Sequence, residues 1–549
     1  RKPDSRLMFI ADYSTAANTE QSHIKETNLT SHSILNTEIR NKSKYRIYTG
    51  HLKYSFLLPS RIKSDAGAQF SFVDNNFHSS TRTTYLSDLS ERTRIGDLTA
   101  AGYLNLNRAW KFGELEAGIR YEYARTRIDQ NSAEANEAEE VDRSFSDFLP
   151  NANIFIHASE KLKVRASYGL TGNYNIDNYN YLARVAKANY VLGGALAPGK
   201  ALESLRNNEL TWEETKQLDL GIDLGFLNDR IFMMYDYYLK RTDGMLYQTD
   251  IPAATGFWDI QSHMGDFKIW GHEITITSRN LVNEFKWTTN LNVSFNRNKI
   301  LKLGTENAPI GGYETYGDFN RLEVGQPIGA LFGYIYDGVY MTEQELNSQP
   351  KHATSEIGTA RMVDVNNDKK IDADDRTIIG NPTPDAIFGM TNEFQYKNFD
   401  LSILLQGQIG GDIMNANYEN TENLDGVFNV RKYVQDRWRS PENPGNGIVP
   451  RTKSGTTELF RLGHSGQVYD ASYLAIKNVT LGYTIPFTPN HYISKLRVYL
   501  TAQQLAVFTK YPGLSPEVSQ NGMDWRGLGV DRTAYPVPRT FSIGCNITF

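Results

Sequence analysis

The feature that most constrains this chain is a two-residue alternation of apolar and polar side chains, repeated from its first third to its last residue. In residues 114–123, Leu115, Ala117, Ile119, Tyr121 and Tyr123 fall on one side, and Glu114, Glu116, Arg120 and Glu122 on the other. A β-strand points successive side chains to opposite faces, so this spacing predicts a two-faced strand. The pattern returns at Ala66, Ala68, Phe70 and Phe72, and at Leu162, Val164, Ala166, Tyr168 and Leu170. It returns again at Leu218, Leu220, Ile222 and Leu224, and at Trp287, Thr289, Leu291, Val293 and Phe295. The chain ends on Phe541, Ile543, Cys545, Ile547 and Phe549 in the same rhythm.

The alternating runs are about ten residues long, which is what a tilted strand needs to cross a bilayer. Strands of soluble proteins are usually about five or six residues. Between the runs lie stretches rich in Asn, Asp, Gly and Pro. Some are short, as at residues 280–284, and one is very long, residues 304–385. Short turns on one rim and long loops on the other are the habit of outer-membrane barrels. In lipid only a closed sheet satisfies every backbone group of a strand. The expected fold class is therefore all-β: an antiparallel transmembrane β-barrel over residues 1–549, with 304–385 a long extracellular loop region.

Composition fits this expectation. The mean hydropathy is −0.49, and no apolar run is long enough for a membrane-spanning helix. Aromatic residues make up 12% of the chain, too many for a disordered protein. Tyr121, Tyr123, Tyr235 and Tyr237 near strand ends favour interfacial girdles. A large soluble β protein, such as a propeller, a sandwich array or a carbohydrate-active β-helix, also alternates, and that reading stays open on periodicity alone.

Lys and Arg number 58 against 63 Asp and Glu, a net charge of −5. That balance argues against nucleic acid as a partner. Cys545 is the only cysteine, which excludes a disulfide within the chain and a zinc cluster. The chain opens on Arg1 with no apolar signal segment, so the N-terminal part of a longer protein is expected to precede it.

From about Phe148 onward, a series of phrases carries a family resemblance. They are KVRASYGLTGN within 162–173, NELTWEET at 208–215, FQYKNFDL at 394–401, and DRW at 436–438 followed by PENP at 441–444. DASYLAIKNVTLGYTIP at 470–486 and RVYLTAQQLAVFTKYPGLSPE at 497–517 follow, then Tyr535-Pro536 and Pro538-Arg539. In this order they resemble the SusC/RagA-like branch of TonB-dependent outer-membrane transporters. The departures are Gln504 where the family usually has Asn and Ser515 where it has Asp. Residues 1–147 share only generic barrel character, and neither a plug domain nor a TonB box is recognisable. The complete family barrel has about 22 strands, of which this stretch need not supply all. The resemblance implies active import of oligosaccharides or peptides. A SusD-like surface lipoprotein would capture the cargo, and the TonB complex would supply the pull through the missing N-terminal region. It also implies a barrel-assembly signal at the terminal aromatic Phe549.

Of the chemistry-bearing motifs, one stands out. Residues 364–375 fit a twelve-residue calcium loop. Asp364, Asn366 and Asp368 occupy positions one, three and five. The Lys370 carbonyl is at seven, Asp372 at nine and Asp375 at twelve. Calcium takes six to eight oxygens, which this spacing folds around one centre. Lys369 replaces the Gly expected at position six, straining the turn, and Asp375 reaches less far than Glu. The expected role is structural stiffening of an extracellular loop, and the alternative is an acidic solvated loop without metal.

Other motifs fall short. Residues 194–201 approach a phosphate loop, but Ala201 replaces the magnesium-binding hydroxyl. Gly463-His464-Ser465-Gly466-Gln467 lacks the final Gly of a nucleophile elbow. No catalytic constellation emerges, so an enzyme is not expected. Trp258, Tyr313, Tyr316 and Tyr340 could stack on sugars or peptides, or pack within their own loops. Two rivals to the transporter remain: a calcium-stabilised secreted carbohydrate-binding or hydrolytic β protein, and a passive porin or structural barrel of a larger surface complex.

Overall fold

The computed structural model describes residues 5–27, 34–83, 86–132, 139–173, 184–192, 195–205, 207, 210–228, 230–257, 259–304, 306–312, 319–422, 429–451, 458–486, 493–520, 522 and 524–549. Its main feature is an antiparallel sheet of 16 strands. In chain order these are β1 (Arg6–Thr27), β2 (Ile34–Leu58), β3 (Ile62–Thr83), β4 (Leu86–Trp110), β5 (Gly113–Ser132), β6 (Glu139–Ser159), β7 (Leu162–Asn173) and β8 (Glu213–Phe226). β9 (Ile231–Asp250), β10 (Asp259–Val282), β11 (Phe285–Leu303), β12 (Ala386–Tyr396), β13 (Phe399–Ile409), β14 (Tyr473–Thr484), β15 (Lys495–Thr509) and β16 (Thr540–Thr548) complete it. Every strand lies beside its neighbours in sequence, the up-and-down order that short connections dictate. Among the described residues no helix is long and apolar enough to cross a membrane.

The connections are of two kinds. At one end β4 and β5 are joined through Lys111-Phe112, β10 and β11 through Asn283-Glu284, and β12 and β13 through Lys397-Asn398. At the other end residues 304–385 separate β11 from β12, and 410–472 separate β13 from β14. β9 (Ile231–Asp250) and its partners have no such insertions, but Arg184–Leu192 and Ala195–Ser204 form a separate hairpin after β7. Residues 195–201 of the phosphate-loop look-alike thus lie within a strand of that hairpin, not before a helix N-terminus on which a phosphate could sit.

In the first unit, residues 1–220 with 240–265, β1 to β6 are about twice as long as the alternation predicts, at 20 to 25 residues. β2 and β4 each run 25 residues. The reason is visible on β5. Leu115, Ile119 and Tyr121 are exposed on one face while Glu122 on the other is buried. Past Tyr123 the same outward face carries Arg125 and Arg127, and the inward face carries Ile128, fully buried. The ladder continues into water after the apolar band stops, so counting apolar alternation finds only the band. Above the band Arg125 pairs with Asp142, and Arg127 with Glu140 at 2.8 Å, across neighbouring strands. The inward Ile95, Ile128 and Val141 pack with Leu210 into the small dry core of this unit.

The second unit, residues 221–239 with 266–549, keeps its cores in its loops. Phe319, Leu331, Met414, Ala416 and Val530 form one cluster. Tyr334, Ala360, Met362, Ile371 and Leu459 form another. Segments from three insertions, 304–385, 410–472 and 510–539 between β15 and β16, therefore make one packed body, and polar ties fix it. Buried Asn320 donates to the carbonyls of Gly329 and Leu528 and accepts from the Gly527 N–H at 2.7 Å. Buried Tyr511 donates to Asp531 at 2.6 Å. Each such group would cost on the order of 1–3 kcal/mol if buried unpaired.

Candidate functional site: a two-faced wall and a packed loop body

The strand pattern builds the first element. On β2 the outward set Tyr48, Gly50, Leu52, Tyr54, Phe56 and Leu58 runs ten residues, ~25 Å of height for strands tilted about 40°. An outer-membrane apolar band has about this height. Leu7, Phe9, Leu104, Leu218, Leu220, Ile222, Leu481 and Leu500 are likewise exposed on the strands. Outside lipid, so much exposed grease would be an aggregation surface.

Aromatic residues bound the band. Near the short turns Trp110 and Phe112 are exposed. Trp287 stacks on Phe394 at 5.6 Å, and Phe399 lies 4.7 Å from Tyr483. Toward the long-loop end Tyr13, Tyr48 and Phe72 form a row at 5.1 and 6.3 Å, and Tyr121 lies 4.9 Å from Phe148. Aromatic girdles at both edges are where amphipathic rings favour the headgroup level.

The inward face is polar, and many of its side chains pair with one another. In the first unit Lys53 meets Asp65 at 2.8 Å and His51 meets the Tyr103 hydroxyl at 2.8 Å. Arg120 bonds Glu122 at 2.6 Å and reaches Gln69. In the second unit Arg497 clamps Asp400 through two nitrogens, one at 2.9 Å. Side chains of this kind wet a surface and offer hydrogen bonds to sugars or peptide groups. They form no nucleophile, base and orienting-group set.

The loop body holds the remaining motifs. The 436–438 phrase is structural: Trp438 is buried against Gly358, where an added Cβ would strike the indole at 2.3 Å. Gly358 also has φ +86°, a conformation that favours glycine. His464 of the failed nucleophile elbow is fully buried among Tyr336, Tyr418 and Phe460. Its Nδ1 accepts from the Gly466 N–H. Burial holds its pKa down at about 3, so it stays neutral. Tyr340 is 1% exposed and donates to the Pro350 carbonyl, so it is a core residue and cannot stack on a ligand. Trp258, Tyr313 and Tyr316 lie outside the described residues.

Residues 364–375 wind into a tight acidic turn. Asp364 accepts from the N–H groups of Asp368 and Lys369, Asn366 from Asp368, and Asp368 from Lys370. Asp375, fully buried, accepts from Val365 and Asp372, and Asp372 from Asp374. Lys369 has φ +69° and Asn367 φ +62°. The left-handed backbone thus falls at the sixth position, where a calcium loop places glycine. Five side-chain donors and the Lys370 carbonyl suit a hard cation. The oxygens turn to backbone N–H groups, however, and no group of three or more His, Cys, Asp or Glu among the described residues is gathered closely enough to hold a metal ion.

Phe549 ends the chain one residue beyond β16, on the short-turn side where Thr548 pairs with Lys495, and is 86% exposed. Sequence reasoning passed over residues 36–48. There Lys42, Lys44, Arg46 and Tyr48 share one face at every second position, a signal that periodicity could have supplied.

The comparisons agree with this architecture. Residues 1–182 match the model of the outer membrane protein beta-barrel family. TonB-dependent receptor P3 of Formosa agariphila is 35% identical over 404 residues, 70% of this chain and 39% of that protein. TonB-dependent receptor P26 of the same organism is 30% identical over 515 residues, 89% of this chain and 51% of that protein. TonB-dependent receptor SusC of Bacteroides thetaiotaomicron is 29% identical, over 73% of this chain and 38% of that receptor. The chain thus spans about two fifths to one half of the length of these curated relatives. A structure of the RagAB peptide transporter superposes with a TM-score of 0.74 at 20% identity, covering 99% of this chain and 60% of that one. These relatives are named as receptors, none as an enzyme.

Proposed function

Because the chain belongs with the SusC/RagA-like TonB-dependent receptors of the Gram-negative outer membrane, we propose that it forms the barrel wall of an active importer for oligosaccharides or peptides. The two-faced sheet carries this reading. An apolar band faces lipid, and a hydrogen-bonding face suits a hydrophilic cargo better than a lipid. A SusD-like lipoprotein covers the long-loop end, and residues 304–385 form extracellular structure there. The TonB complex acts from the opposite side through parts of the protein beyond this stretch. Phe549, at the end of the last strand, serves as the signal for barrel assembly.

The test is uptake by cells that carry the full-length protein in a deletion background. Fluorescent oligosaccharides and fluorescent peptides are supplied separately, with and without a protonophore. Uptake of one class, abolished by the protonophore, is the expected result. Uptake that survives the protonophore makes the protein a passive porin. Solubility without detergent would favour the secreted carbohydrate-binding reading.

For residues 364–375 we propose a structural calcium site. The side chains of Asp364, Asn366, Asp368, Asp372 and Asp375 and the Lys370 carbonyl would be the ligands. Support comes from the oxygen-only donor set and the left-handed turn at Lys369. Calcium there would neutralise the acidic turn and stiffen the loop. Calorimetric titration of the purified protein should give a single heat-releasing site that Asp364→Asn weakens. No heat at millimolar calcium rules the site out.

A further inference from the structure

The outward face of β1–β5 changes character in steps along the strands. The aromatic row Tyr13, Tyr48 and Phe72 closes the apolar band. Two residues further along, Thr15, Arg46 and Asp74 are paired across the strands. Next come Ala17, Lys44, Asn76, Arg94 and Asp129, then Thr19, Lys42, His78, Arg92 and Asn131. Arg46 and Arg94 are committed to Asp74, at 3.5 and 2.9 Å. Lys42, Lys44, His78 and Arg92 are exposed, and among the described residues none of them has an ion-pair partner. They surround a groove of about 690 Å³ lined also by Thr19, Asn76 and Asn131.

Lower on the same face lies a second hollow, of about 410 Å³. Its floor is made of small residues, Gly50, Ala68, Ala100 and Gly102, with Phe70 and Tyr121 at its sides. Gly50 keeps the floor low: a Cβ there would sit 2.2 Å from the Phe70 ring, which would have to shift. From Lys44 to Gly50 is ~20 Å along the strand, or ~15 Å of depth at the tilt of a barrel strand. That is about half of a hydrocarbon core, so cations and hollow share one leaflet. The cations lie away from the short turns, which places them in the outer leaflet.

We propose that this face is a binding site for an outer-leaflet glycolipid bearing phosphates. Lys42, Lys44 and Arg92 hold the phosphates, and the hollow over Gly50, Ala68, Ala100 and Gly102 takes an acyl chain. The charge layout favours this occupant over a glycerophospholipid. Lys42 on β2 and Arg92 on β4 are two strand spacings apart, ~10 Å, wider than one phosphate spans. Thr19, Asn76, His78 and Asn131 between and beside them offer the hydrogen bonds that sugar hydroxyls need. The site faces lipid, so its occupancy is independent of whether cargo passes the lumen, and either reading can fail without the other.

The experiment uses the full-length protein in detergent and measures binding by native mass spectrometry. The probes are bis-phosphorylated lipid A, its dephosphorylated form and phosphatidylglycerol. The expected result is selective retention of the bis-phosphorylated form. At about 1 kcal/mol for each basic residue at a membrane surface, the triple variant Lys42→Gln/Lys44→Gln/Arg92→Gln should bind it about a hundredfold more weakly. Ala100→Trp should weaken binding of both forms of lipid A by filling the acyl hollow. Heat-modifiable migration on gels confirms that each variant is folded. Equal binding of phosphatidylglycerol, equal binding of the dephosphorylated form, or an unchanged triple variant overturns the proposal.

Discussion

Ile119→Arg separates a membrane wall from a soluble sheet by magnitude. Ile119 is 46% exposed on β5, four residues from Leu115 at the lower edge of the band and four from Tyr123 at the upper. At ~3.3 Å per residue and a tilt of about 40°, it lies ~10 Å in depth from either edge. On a soluble protein an exposed Ile replaced by Arg stays within about 0.5 kcal/mol. At the bilayer midplane Arg on a barrel's lipid face costs about 2–4 kcal/mol, falling to about 0–1 kcal/mol near the interface. Ile119→Arg should therefore destabilise by about 3 kcal/mol, and Tyr123→Arg by less than about 1 kcal/mol. The assay is urea-dependent folding of the full-length protein into lipid vesicles, followed by gel mobility without boiling. A cost below about 0.5 kcal/mol at position 119, or equal costs at 119 and 123, would refute the claim that this face meets acyl chains.

Further outcomes follow from single residues in the loops and at the strand ends. His464 is neutral when folded, with its pKa at about 3, against the ordinary ~6.5 when unfolded. The unfolded state then binds the extra proton, so loop stability falls as pH drops below about 6.5, by about 2 kcal/mol at pH 5. His464→Asn should remove that dependence in amide exchange of the loop body. Glu422 is buried and pushed up to about 7, so its contribution has the opposite sign: its cost is absent below the usual carboxylate range and complete above pH 7. Glu422→Gln should therefore stabilise the loops at pH 8 and change nothing at pH 4, and equal shifts at both would sink the assignment. Gln504 sits in a bulge opposite Lys477 with φ +52°, and Gln504→Asn should gain up to about 1 kcal/mol, because Asn tolerates that conformation better. Deleting Phe549 should lower the amount of folded barrel in the outer membrane; an unchanged amount removes its role as an assembly signal.

What the sequence disclosed, and what it withheld, divides along a physical line. Alternation at Leu115–Tyr123 and at Leu218–Leu224 was legible because lipid sorts side chains by face at every second position. The strand extensions past Tyr123 were not legible. There the rhythm is inverted, with Arg125 and Arg127 outward and Ile128 inward, so a search for an apolar outward face stops at Tyr123. The departure at Gln504 was visible as an anomaly, but its meaning needed the bulge that puts this residue at positive φ. Tyr340 read as a possible ligand-stacking ring because aromatic residues in loops look alike in sequence. Only its burial and its bond to the Pro350 carbonyl place it in a core. The acidic spacing of 364–375 announced a turn, and the Asx bonds supply one. Spacing alone does not say whether the oxygens gather on an ion or on the backbone.

These distinctions also decide which mutations should hurt. Along the strands little is dry: apart from the cluster of Ile95, Ile128, Val141 and Leu210 and a few side chains such as Ile300, Leu303 and Ala475, most large apolar residues are turned outward. There a large-to-small change removes contact with lipid tails, which other tails replace, whereas a charge is costly. In the loop body the order reverses. Leu331, Met414 and Tyr334 are almost wholly buried, so truncation opens a cavity at about 2–5 kcal/mol. Met414→Ala should thus cost several times more than Leu220→Ala, although both replace one large apolar residue in a region of β structure. Thermal denaturation of the two variants in one detergent measures the ratio. Equal costs would mean that the exposed Leu220 has a protein neighbour rather than lipid, and the division of the molecule into a lipid-facing wall and a dry loop body would be wrong.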